Sequence, residues 1–133
     1  MRIRWSFVLS AAALTAVAGA AAAHHSFTAT YFEDRTMQIE GKLLQFMFRN
    51  PHSFVHVEAP DENGKPTRWA VEWGGAGQLS GQGVTNQTLR VGDIVSITGN
   101  PGRDPSDHRL RMQYLRRSAD GFEWGRNPGE TFN

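Results

Sequence analysis

Four of the five histidines in this 133-residue chain fall into two pairs, and each pair has the spacing of a nitrogen donor set. His24 and His25 follow the alanine tract Ala20-Ala21-Ala22-Ala23. A cut after Ala23 would make His24 the first residue, whose amine and imidazole form a two-nitrogen chelate; one further histidine would complete the histidine brace of copper proteins. A cut one residue earlier puts a histidine third, so that amine, backbone nitrogens and imidazole can surround a metal in a plane. Both geometries suit Cu(II) or Ni(II), which favour tetragonal nitrogen ligation. His52 and His56 share one face of a strand with Phe54 between them, while Ser53, Val55 and Val57 take the other. With Asn50 at the preceding corner and Glu72 on the neighbouring strand as supporting groups, the metal expectation is a copper-type ion held by His24, His25, His52 and His56. The competing reading needs no metal: His24-His25 is a polar start to an ordered arm, and His52 and His56 bond to backbone.

Other residue types open fewer reactions. There is no cysteine, which excludes thiolate metal sites, redox pairs and thiol nucleophiles. Ser26 beside His25 and Ser53 beside His52 make no triad, because neighbours on a strand face opposite ways and no nucleophile elbow surrounds them. Gly74-Gly75-Ala76-Gly77 lacks the lysine and hydroxyl of a phosphate loop. Asp104, Asp107 and His108 are metal-ligand types, yet Asp-Pro-Ser-Asp is ordinary turn chemistry. Arg103, Arg109, Arg111, Arg116 and Arg117 make a basic strip that reads as a solvated strand face, with an anionic lipid or polysaccharide contact as the alternative. Trp69, Trp73, Phe46, Phe48 and Phe54 could stack on a sugar or another flat ligand; core packing is the competing use for the tryptophans.

The elements that must position these groups begin after residue 23. Met1-Arg2-Ile3-Arg4, an apolar run from Trp5 to Val17 and the small-residue tract up to Ala23 have the three parts of a secretory signal peptide. Its removal would take away Arg2 and Arg4, leaving 12 basic against 13 acidic residues. A mature chain so near neutrality lacks the dense cationic surface of a nucleic-acid binder. Nothing in it has the length of a transmembrane segment, so the expectation is a periplasmic or secreted domain. Without disulfides it must rest on its core, which about a hundred residues can supply.

Residues 24–36 read as an extended arm, 37–124 as the β domain and 125–133 as a flexible tail. Met37, Ile39, Gly41 and Leu43 alternate with polar residues, and at Leu43-Leu44 the apolar phase switches, which predicts a bulge. An Arg49-Asn50-Pro51 corner leads into a second strand over 52–59, and an Asn63-Gly64 turn into a third over 67–73. A short helical segment around 78–82 precedes a β-branched fourth strand over 94–99 and a fifth over 108–115, in which Leu110, Met112 and Tyr114 take the inner face. Residues 122–124 would add a short sixth. This pattern fits an all-β, OB-fold-like Greek-key barrel of five to six strands, with a β-sandwich as the alternative.

Four motifs then fall together: Ala23-His24-His25-Ser26-Phe27, Asn50-Pro51-His52, Trp69-Ala70-Val71-Glu72, and Val91-Gly92-Asp93 running into Ile94-Val95-Ser96-Ile97-Thr98-Gly99. In these the chain resembles the exported bacterial domain of unknown function 6152 family, over nearly all of the mature sequence. Phe48 stands where members often carry tryptophan, and Tyr31-Phe32-Glu33 where a Tyr-Asp pair is common. The resemblance implies an exported domain and supplies no catalytic residues. The expected function is a binding or accessory module, more a binder than an enzyme. Its ligand is copper at the histidine-rich terminus or, alternatively, a small ligand, glycan or partner protein on an aromatic barrel face that includes Phe54 and Trp69.

Overall fold

The structure, a computed structural model, describes residues 27–126. The chain divides into two units, Met1–Thr30 and Tyr31–Asn133. Of the first, residues 27–30 are helical, where an extended arm was expected; the arm proper is 31–36. The signal-like segment, His24, His25 and most of the expected tail lie outside the described residues.

The second unit contains β1 (Met37–Met47), β2 (Phe54–Pro60), β3 (Pro66–Glu72), a five-residue helix α1 (Ala76–Ser80), β4 (Ile94–Pro101), a 3-10 turn (Pro105–Asp107), β5 (Arg109–Arg117) and β6 (Glu123–Gly125). The strands hydrogen-bond in the order β3-β2-β1-β4-β5-β6, and β3 also pairs with β5. That last contact is parallel and short: Ala70 opposite Arg109, Val71 opposite Leu110, Glu72 opposite Arg111. It closes strands 1, 2, 3, 5 and 4 into a barrel of the OB type, so the barrel reading holds and the sandwich does not. Among the described residues no helix is long and apolar enough to cross a membrane.

Strand periodicity decides what fills the barrel. Leu43, Val55, Val57, Val71, Val95, Ile97 and Leu110 point inward and are fully buried, while Leu79 of α1, with Val84 and Leu89 after it, packs into the same core. The phase switch at Leu43-Leu44 is a bulge, because the β1–β2 register slips between Leu43 and Gln45. A second slip was not expected. Gly99 pairs with Met112 but Thr98 with Tyr114, so Gln113 is the extra residue and Leu115, not Tyr114, enters the core. β6 begins one residue later than expected and is held by Trp124, whose ring meets Trp73 edge-on at 5.0 Å and whose indole N–H donates to Gln82 at 2.9 Å.

The arm lies on this barrel through polar bonds to its backbone. Phe32 N–H donates to the Pro101 carbonyl at 2.9 Å. Buried Asn100 donates to the Arg35 carbonyl at 2.8 Å and accepts from Gln113 at 2.8 Å. Across the barrel, Arg117 bridges Asp93 and Asp120 at 2.9 and 2.8 Å. The guanidinium beside Asp120 holds that carboxyl at about 2, below its ordinary range.

Candidate functional site

The Arg49-Asn50-Pro51 corner is built by the glycine stretch that mimics a phosphate loop in sequence. Ser53 N–H donates to the Gly74 carbonyl and Trp73 N–H to the Ser53 carbonyl, at 3.0 and 2.8 Å, while Ala76 N–H reaches the Arg49 carbonyl at 3.0 Å. Asn50 Oδ1 accepts from Gly77 N–H at 3.1 Å. A Cβ on Gly75 would lie 2.5 Å from the Pro51 carbonyl oxygen. These glycines therefore allow close approach to the corner, which enters β2 through a cis Asn50–Pro51 bond.

That docking sets the direction of His52, and Glu72 is where it leads. His52 Nδ1 is hydrogen-bonded to Glu72 Oε1. Tyr31 O–H donates to Glu72 Oε2 at 2.5 Å, and Arg109 Nη2 stands 3.7 Å from the same oxygen. The Glu72 side chain is 12% exposed. An ionised carboxylate only accepts, so Nδ1 is the donor in this contact. Tyr31 is fully buried, with the Arg109 guanidinium 5.8 Å from its ring centre. Burial, and then the Glu72 carboxylate, push its phenol well above the ordinary value of 10.0.

A pH dependence follows. A raised folded value means that above about pH 10 the unfolded chain sheds a proton that the folded chain keeps, so stability is intact below that pH and is lost as pH rises. The slope from this one group is at most about 1.4 kcal/mol per pH unit. Urea titrations of parent and Tyr31→Phe between pH 8 and 11 should show the parent weakening more steeply. Parallel curves would deny Tyr31 this role.

Around the network, the outward residues of β2, β3 and β5 form a grid: Phe54, Glu72 and Arg111 in one row, His56, Ala70 and Arg109 in the next. Arg49 covers the Phe54 ring at 5.6 Å. Arg68 donates through Nε to His56 Nδ1 at 3.1 Å and through Nη2 to Gln45 Oε1 at 3.0 Å. Partial burial, and then the Arg68 charge, lower the His56 value below 6.5, so His56 is a neutral acceptor on this face.

The expected site residues are thus partly reassembled. His52 and Glu72 meet directly, and Phe54 and His56 lie on the same outer face. Asn50 holds the corner through Gly77. Trp69 points inward, 6% exposed, and belongs to the core. His52 and His56 are engaged by different partners, Glu72 and Arg68. Among the described residues, no group of three or more histidine, aspartate or glutamate side chains is placed to hold a metal. Asp104 caps the 3-10 turn through Ser106, and those bonds keep its carboxyl below the ordinary range. Of the arginine strip, Arg109 and Arg111 join the outer face, whereas Arg117 is committed to Asp93 and Asp120. Tyr31 and the role of Arg109 are additions, since no periodicity marks where an irregular arm folds back.

A family profile described as a family of unknown function, DUF6152, matches residues 12–111, about three-quarters of the chain, and takes in all four motifs singled out above. The chain belongs to the DUF6152 family. The DUF6152 match contains both the corner that carries His52 and the strand that carries Glu72. No curated protein matches the sequence. Among solved structures, the chain is similar to a mitochondrial single-stranded DNA-binding protein from S. cerevisiae, Rim1. The TM-score is 0.49 and the identity 13%, over 68% of this chain and 100% of that one.

Proposed function

We propose that this chain is an exported binding module that holds an acidic oligosaccharide on the outer face of β2, β3 and β5. The observation that supports it is a cluster of four arginines that outnumbers the acidic side chains beside it, Glu72, Glu58 opposite Arg68, and Glu33 at 3.7 Å from Arg111. A mature chain with 12 basic and 13 acidic residues puts Arg49, Arg68, Arg109 and Arg111 on one face, around an aromatic ring and a histidine. Glu72, in the middle, is spent on His52, Tyr31 and Arg109. Guanidinium forks match carboxylate and sulfate groups, and Phe54 offers the apolar surface on which a sugar ring can lie. Barrels of this type use this face for oligosaccharides as well as for oligonucleotides.

The test is calorimetry with polygalacturonate oligomers, neutral dextran and oligothymidylate. Binding of the polyuronate alone, at least about tenfold weaker in Arg49→Glu/Arg68→Glu, supports the reading. Equal binding of dextran or oligothymidylate, or no effect of the double substitution, rejects it.

A second reading, copper at the mature terminus, is favoured by the junction Ala22-Ala23-His24-His25 itself. The amine and imidazole of His24 form a two-nitrogen chelate there, to which a further histidine would add a third donor. Intact mass spectrometry of the exported protein, with Cu(II) and a weak competing chelator, should show a chain starting at Ala23 or His24 that keeps one copper. In a chain starting at His24, His24→Ala should weaken copper binding more than His108→Ala does; equal effects would count against this reading.

A further inference from the structure

At the end of the barrel away from the Asn50 corner, a groove of about 370 Å³ runs between the start of β1, the β2–β3 turn and the β4–β5 loop. At about 30 Å³ per water it has room for roughly a dozen waters, at the small end of ligand sites. Its apolar lining comes from Trp69, Met37, Ile39 and Phe32, with prolines from both turns. Two features set this groove apart from ordinary surface relief. Trp69 is buried, and its indole N–H, like that of Trp73 outside the groove, has no acceptor among the described residues. Beside it, His108 has φ 45°, a left-handed conformation that side chains rarely take, and its ring meets the Trp69 ring edge-on at 5.1 Å.

The charges of the groove decide what it could take. Arg35 and Arg109 supply two cations; Asp61, Glu62 and Asp104 supply three carboxylates. The two signs come from different elements. Arg35 belongs to the arm, where its guanidinium stands 4.1 Å from the centre of the Phe32 ring, and Arg109 to β5. The carboxylates belong to the two turns, and two of them are fixed there. Asp61 Oδ1 accepts from Asn63 and Lys65 N–H, both at 2.9 Å, and Asp104 Oδ1 accepts from Ser106 N–H at 2.9 Å. A simple anion entering this space meets three carboxylates, and a simple cation meets two guanidiniums. A molecule carrying both charges on an apolar body meets complementary charge at both ends.

We propose that the groove is a binding site for a small zwitterion with an apolar side chain, of the chemical class of a free aromatic amino acid. Its ring lies against Trp69 and Met37, its carboxylate faces Arg35 and Arg109, and its ammonium faces the carboxylates of the turns. The site is separate from the outer face proposed for the oligosaccharide, and only Arg109 is common to both.

The experiment is calorimetry of the full mature chain with L-phenylalanine, phenylacetate and phenethylamine, which share the ring and differ in charge. L-Phenylalanine should bind with a negative heat-capacity change, and each singly charged analogue at least about tenfold more weakly. Arg35 is exposed, so Arg35→Gln should leave the fold intact, weaken L-phenylalanine about tenfold and bind phenethylamine at least as well as the parent. Arg68→Glu, on the other face, should leave L-phenylalanine binding as it is. No binding of L-phenylalanine at about 10 mM, a concentration that would reveal even a millimolar site, binding of phenylacetate or phenethylamine as tight, or an Arg35→Gln protein that binds L-phenylalanine like the parent would each overturn the proposal.

Discussion

Gly41→Ala should cost the barrel several kcal/mol, the largest effect expected of any single added methyl group at the described glycines. An ideal Cβ at Gly41 falls 1.9 Å from the Glu58 carbonyl oxygen and 2.8 Å from its carbon. Both obstacles are backbone, so no side chain can swing aside. Nor can β1 retreat, because Gly41 is paired with Val95 of β4 on its other edge and Lys42 with Glu58 of β2. Overpacking in a site that can relax costs about 1–3 kcal/mol; here, with little relaxation available, the upper end is the floor. At about 4–8 °C per kcal/mol for a domain near a hundred residues, the thermal midpoint should fall on the order of 15 °C or more. Gly64 is the control: its φ is +76° but nothing lies within 4 Å of a Cβ there, so alanine should cost only the left-handed penalty of about 1–2 kcal/mol. Thermal melts of both variants by circular dichroism decide the matter. A Gly41→Ala protein that melts within a few degrees of the Gly64→Ala one would show that the strand crossing gives more easily than argued.

Glu72→Ala comes second. It removes the acceptor of Tyr31 O–H and His52 Nδ1–H and the counter-charge of Arg109 together. Breaking one partner out of a buried ionic network costs about 3–5 kcal/mol. Here His52 is 37% and Arg109 34% exposed, so water can replace part of what they lose, and about 2–3 kcal/mol is the better expectation. Tyr31 has no such recourse, being fully buried. Glu72→Gln keeps a side-chain acceptor of the same size and should lose about half as much. Urea unfolding at an unchanged m-value measures both. A cycle with Tyr31→Phe should return a coupling of at least about 0.5 kcal/mol; additive losses would mean that the short Tyr31–Glu72 contact contributes nothing of its own.

The part of this structure that could be read from sequence is the part governed by the two-residue period. Ile39, Leu43, Val55, Val57 and Val71 alternate with polar residues, so strand, face and core follow together. The bulge at Leu44 was legible for the same reason, since two adjacent leucines interrupt an otherwise strict alternation. The slip at Gln113 was not, because Tyr114 and Leu115 are both apolar and the pattern fits either phase. His52 and Glu72 could be named separately but not as a bonded pair, which requires the β2–β3 register that puts Phe54 opposite Glu72. Tyr31 lies in an arm without period, and its partner is 41 residues away. Trp69 shows both uses weighed for the tryptophans: its alternation with Arg68 and Ala70 puts it in the core, and one edge of it also lines the groove beside the start of β1.

The ring of strands closes through only three residue pairs, between β3 and β5. Every other junction of the ring is longer, so this seam is where the sheet should breathe first, and its amides should exchange with solvent ahead of those between β1 and β4. Glu72 on one side and Arg109 on the other are tied across that seam, and Tyr31 is bonded to the first and stacked near the second. Whatever engages this face therefore also latches the cylinder. A ligand that needs Arg109 and Arg111 of β5 in register with the arginines of the β2–β3 side binds only the shut form and, by mass action, slows its opening. The joint with the fewest backbone bonds is the one where occupancy would be felt as rigidity.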